Sequence, residues 1–64
     1  MNQIEQIEEQ IKKTEGILAE SREYFAKNPE SYSARLLLMS TENYLADLLG
    51  QLAALKDKRP GINL

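Results

Sequence analysis

The sequence predicts an all-α fold: an antiparallel two-helix hairpin of coiled-coil type, expected to dimerise into a four-helix bundle. Two heptad seams and one sharp break between them carry that prediction. In the first half, residues recur at alternating spacings of three and four as Ile4, Ile7, Ile11, Thr14, Leu18, Ser21 and Phe25. In the second half the same rhythm runs through Ala34, Leu38, Thr41, Leu45, Leu48, Leu52 and Leu55. A 3–4 repeat keeps one stripe facing a supercoiled neighbour, which is the signature of a packed helix pair.

Helix one is expected over about residues 2–27. Placing Ile4, Ile11, Leu18 and Phe25 at position a puts Glu9, Gly16 and Glu23 outermost. Its flank carries Glu5, Glu8, Lys12, Lys13 and Glu15, with Glu8–Lys12, Glu9–Lys13 and Glu23–Lys27 four residues apart. Such pairs add a few tenths of a kcal/mol each and mark a solvated face. The break is Asn28-Pro29-Glu30-Ser31. A residue before proline is pushed out of the α region, so helix one stops near Lys27 and the turn occupies about residues 28–29. Asn28 is then expected to cap helix two, with Pro29 in its first turn, where a missing N–H costs nothing. Helix two is expected over about residues 29–59, with Lys56, Lys58 and Arg59 at its negative end and Pro60-Gly61 as its stop. Residues 1–59 thus form one hairpin domain. Residues 60–64 read as a tail or the start of a linker, in which Ile62 and Leu64 belong to no helix.

So short a connection forces the helices to lie antiparallel. With the turn near residue 29, facing residues should have numbers totalling roughly 58–60, so that Thr14 lies near Tyr44 and Leu45, and Thr41 near Ile17 and Leu18. Small polar seam residues then meet large apolar ones, the layering a packed core requires. The expected hairpin core is Ile4, Ile7, Ile11, Leu18, Phe25, Leu38, Leu45, Leu48, Leu52 and Leu55.

A 64-residue chain is one domain at most. Single cores below roughly 70–80 residues are thin and are usually reinforced by disulfides, a metal or oligomerisation. With no cysteine and no histidine, disulfides, thiolate or imidazole metal sites and Cys/His nucleophiles are excluded. Association is the reinforcement that remains. The apolar residues agree, because they outnumber what one partner helix can cover. Ile17 and Tyr24 flank the first seam; Leu37 and Tyr44 lie on one side of the second, Leu49 on the other, and Met39, Ala46 and Ala53 further round. With Leu36, the residues Ile17, Tyr24, Leu37, Met39, Tyr44 and Leu49 are the expected interface with another chain, a second copy above all. Leu36 also admits a plainer reading, as a lone surface leucine or one folded over the turn onto Tyr32 and Phe25. Gly16 and Gly50 sit at outer mid-helix positions. They read first as tolerated surface drift and second as places where a partner backbone comes close.

Chemistry-bearing patterns are sparse. Glu5, Glu8 and Glu9 lie in the first turns of an amphipathic helix, mostly outside the seam, where nothing shifts a carboxylate toward catalysis. Ser31, Ser33, Ser40 and Thr41 have no base beside them. There is no Glu-x-x-His metal motif and no glycine-rich phosphate loop. No catalytic, cofactor or metal residue is therefore assigned, and the chain is read as a non-enzyme. Leu45-Ala46-Asp47-Leu48-Leu49 matches the LxxLL pattern of receptor-docking helices, but Leu45 and Leu48 belong to the seam. Net charge is −2, which argues against a nucleic-acid partner, where a basic face supplies most of the affinity. The basic residues Lys12, Lys13, Lys56, Lys58 and Arg59 are interleaved with Glu5, Glu8, Glu9 and Asp57. No apolar run approaches the ~18–20 residues of a membrane span. The opening Met1-Asn2-Gln3-Ile4-Glu5 has no signal-peptide core, so the cytoplasm is the expected compartment.

Three groups of helical hairpins are similar in outline only. Ser40-Thr41-Glu42-Asn43-Tyr44 resembles the Ser-Gln-Glu-Leu-Asp motif of sporulation-associated aspartyl-phosphate phosphatases, but Asn43 and Tyr44 replace its Leu and its essential Asp. Small type III secretion co-chaperones and RNA-binding plasmid copy-number regulators share the size or the hairpin-dimer shape, with no matching motif. The sequence therefore supports a non-enzymatic interaction or oligomerisation module. A hetero-partner adaptor or small chaperone masking an apolar helix is the alternative, and a small RNA-binding regulatory dimer the next. It reads equally as a complete small bacterial or phage protein and as the N-terminal oligomerisation domain of a longer one.

Overall fold

The computed structural model describes residues 2–57. Two α-helices of 25 residues, α1 (Gln3–Lys27) and α2 (Tyr32–Lys56), pack side by side as an antiparallel hairpin. At 1.5 Å per residue each helix is about 37 Å long. The pair forms a single layer of helices, and the chain spans 12 Å along its thinnest axis.

Both helices begin on a side-chain cap. Asn2 Oδ1 accepts a hydrogen bond from the Glu5 N–H at 2.8 Å, and Ser31 Oγ accepts one from the Ala34 N–H at 3.1 Å. Each satisfies a donor that the first turn leaves without a helical partner. The second cap corrects the expected boundary. Asn28 ends α1 instead of starting α2, and α2 begins at Tyr32, three residues later than Pro29. The cause is a tight turn. The Ser31 N–H donates to the Asn28 carbonyl at 3.0 Å, which places Pro29 second in a four-residue β-turn, a position its fixed φ favours. Asn28 leaves the helical region (φ −133°, ψ 62°), and its backbone N–H and Nδ2 both reach back to the Tyr24 carbonyl at 3.0 Å. At the far end Asp57 is the C-cap of α2. The expected helical residues Lys58 and Arg59, the Pro60-Gly61 stop and the tail lie outside the described residues.

Between the helices the described residues divide cleanly. Every seam residue, from Ile4 to Phe25 and from Ala34 to Leu55, is buried or half-buried, and apart from the cap Ser31 every other described residue is exposed. The deepest positions are small: Ala34 is 0%, Ser21 2% and Thr14 3% exposed. The distal half is more apolar, with Ile7, Ile11 and Leu48 forming a cluster against which Leu45, Leu52 and Leu55 pack. Two of the buried hydroxyls are satisfied locally: Thr14 Oγ1 donates to the Gln10 carbonyl and Thr41 Oγ1 to the Leu37 carbonyl, both at 2.7 Å. Of the three expected i,i+4 ion pairs only Glu23–Lys27 closes among the described residues, at 3.3 Å. Glu8 instead reaches across the hairpin to Lys56, 3.8 Å away.

Candidate functional site

The expected core residues fall into two grades. Ile7, Ile11, Leu18 and Leu48 are buried, whereas Ile4, Phe25, Leu38, Leu45, Leu52 and Leu55 are half-buried. The seven residues expected to meet another chain, Ile17, Tyr24, Leu36, Leu37, Met39, Tyr44 and Leu49, are 43–51% exposed. Tyr32 joins them at 74%, a residue the sequence reading did not assign to this group. Its place in the pattern held a signal: it lies one heptad before Met39, on the same outer column. Leu36 is half exposed and Tyr32 three-quarters exposed, so neither is buried beside the turn.

Antiparallel packing sorts these residues onto different sides of the layer. Ile17 and Tyr24 precede the seam residues Leu18 and Phe25, and Leu37 and Tyr44 precede Leu38 and Leu45, so all four occupy heptad position g. In an antiparallel pair the g positions of both helices share one side, and the e positions share the other. Two features anchor that assignment. Gln10 and Gln51, both at g, line one shallow groove with Ile7 and Leu48. Glu8 and Lys56, both at e, pair on the opposite side. The g side therefore carries Gln3, Gln10, Ile17 and Tyr24 from α1 and Leu37, Tyr44 and Gln51 from α2, without one charge among them. On the e side stand Glu8, Glu15, Arg22, Arg35, Glu42 and Lys56, with Leu49 between them. Met39 and Tyr32 lie beyond the e column, and Leu36 is outermost.

Other features have simpler surroundings. The LxxLL stretch is occupied within the hairpin, with Leu48 only 5% exposed and Leu45 packed on the apolar cluster. The Ser40 hydroxyl donates to the Leu36 carbonyl at 2.7 Å, so it too is engaged by its own helix. An ideal Cβ at Gly16 or Gly50 would meet nothing within 4 Å. Among the described residues no group of three or more His, Cys, Asp or Glu side chains could hold a metal ion, and no helix is long and apolar enough to cross a membrane. No family model, curated protein or solved structure matches this chain.

Proposed function

We propose that the protein is a non-enzymatic oligomerisation module, a hairpin that self-associates through its exposed apolar residues into a four-helix bundle. The observation that carries this reading is the pair of g columns bearing Ile17, Tyr24, Leu37 and Tyr44, uncharged among the described residues and with these four still 43–49% exposed in the single hairpin. A solitary leucine on a surface is ordinary, but aligned apolar residues from two helices form a patch of the kind that marks association.

Covering the exposed half of four large side chains gains roughly 3–6 kcal/mol per protomer. That is comparable with the cost of bringing two molecules together. Association is accordingly concentration-dependent and not permanent.

Thermal melts across a hundredfold range of protein concentration test this. The melting temperature rises with concentration if folding and association are linked, and a flat midpoint contradicts the proposal.

A further inference from the structure

The two sides of the hairpin are not equivalent as docking surfaces, and their difference specifies a dimer. Resting on the self-association reading above, we infer that a second copy covers the uncharged side with both turns at the same end. The two-fold axis then runs parallel to the helices, so that α1 of each protomer lies on α2 of the other.

Charge selects the side. Among the described residues, burying the g side removes no charged g residue from water, because Gln3, Gln10 and Gln51 join Ile17, Tyr24, Leu37 and Tyr44 in those columns. Burying the e side would desolvate Glu15, Arg22, Arg35 and Glu42 and the Glu8–Lys56 pair, at a cost that ion pairing rarely recovers.

Height along the rod selects the orientation. Ile17 stands level with Tyr44, and Tyr24 level with Leu37, in the half of the hairpin nearer the turn. An axis parallel to the helices lays this patch on its own copy and the glutamine end on the glutamine end. An axis across the rod brings patch onto patch only if the two glutamine ends overhang in opposite directions.

The next positions outward agree. Lys13 on α1 and Asp47 on α2 are exposed and level with each other on the same side of the layer. With both turns at one end, Lys13 of each protomer faces Asp47 of the other, giving two opposite-charge contacts by symmetry. In the crossed arrangement centred on the patch, Glu20 meets its own copy instead. Charge complementarity of this kind fixes orientation more than it adds affinity.

Sedimentation equilibrium on five variants, with one spin-label distance, tests the inference. Leu37→Glu should weaken dimerisation at least 100-fold, while Met39→Glu, beyond the e column, should leave it within threefold of the parent. Lys13→Asp and Asp47→Lys should each weaken it about three- to tenfold, and the doubly swapped chain should recover to within twofold. That recovery cannot come from a variant that merely fails to fold. A single Gln6→Cys label in this cysteine-free chain should lie under about 25 Å from its copy with turns together, against about 44 Å when crossed on the patch. A parent dimer that Met39→Glu disrupts and Leu37→Glu spares overturns the choice of side. A distance near 44 Å, or no recovery in the double swap, overturns the orientation. A parent chain that is monomeric throughout removes the self-association reading itself, which separates the two failures.

Discussion

Gly16 and Gly50 are the residues where local propensity and structure disagree most. Each sits mid-helix on the outermost column, and each has open space where a Cβ would stand. Glycine there costs up to about 1 kcal/mol relative to alanine. Gly16→Ala and Gly50→Ala should therefore each stabilise the fold by roughly 0.5–1 kcal/mol, read as a rise of several degrees in the thermal midpoint. Loss of stability at either site would mean that something outside the hairpin uses the space. Capping is the other effect that belongs to single residues. Ser31→Ala removes the acceptor for the Ala34 N–H and should cost about 1 kcal/mol. Asn28→Ala should cost less, since the turn bond uses the backbone carbonyl of Asn28. The sequence held both signals at this boundary, an asparagine before proline and a serine two residues after it. They competed for the same cap, and the β-turn decided between them by occupying Pro29. The cap at Asn2 was not assigned from the sequence, although Glu5 follows it three residues later in a capping-box spacing; Asn2 Oδ1 accepts from the Glu5 backbone N–H.

At the scale of the element, the seams were legible because the 3–4 rhythm is a direct consequence of helix geometry. Their layering was also legible, since Thr14, Ser21, Ala34 and Thr41 are the small members and are all buried. What spacing alone could not grade was depth. Phe25 and Leu38 are seam residues, yet both are only half-buried near the turn, where two helices give no cover from above or below. Leu48 and Leu49 make the sharpest contrast between seam and flank. They are adjacent in sequence, but one is 5% exposed and the other 49%. Leu48→Ala should lose about 2–5 kcal/mol, most of what a core of this size supplies, and much of the helical circular dichroism with it. Leu49→Ala should change stability by no more than about 0.5 kcal/mol. Equal effects from the two substitutions would contradict the seam.

The whole molecule is a single layer, and its functional reading follows from that shape. A layer of two helices has two sides, and only packing against something else can cover either. Individually, Ile17, Tyr24, Leu37 and Tyr44 were recognisable as flanking apolar residues from their heptad positions. That they share a side, and that its g columns carry no charge among the described residues, follows only once the helices are laid antiparallel with Glu8 beside Lys56. Tyr32 escaped although Met39 follows it in the same column, because it stands at the first residue of α2, beyond which Ala46 and Ala53 leave the column mostly small.

The central claim is that the hairpin pairs with itself, and solution mass tests it most directly. Sedimentation equilibrium from low micromolar to near-millimolar protein should show a chain of 7.3 kDa passing reversibly to about twice that mass, with helical circular dichroism maintained. A helical species that stays at 7.3 kDa over the whole range would contradict the claim, and would make the uncharged side a surface for a different helical protein.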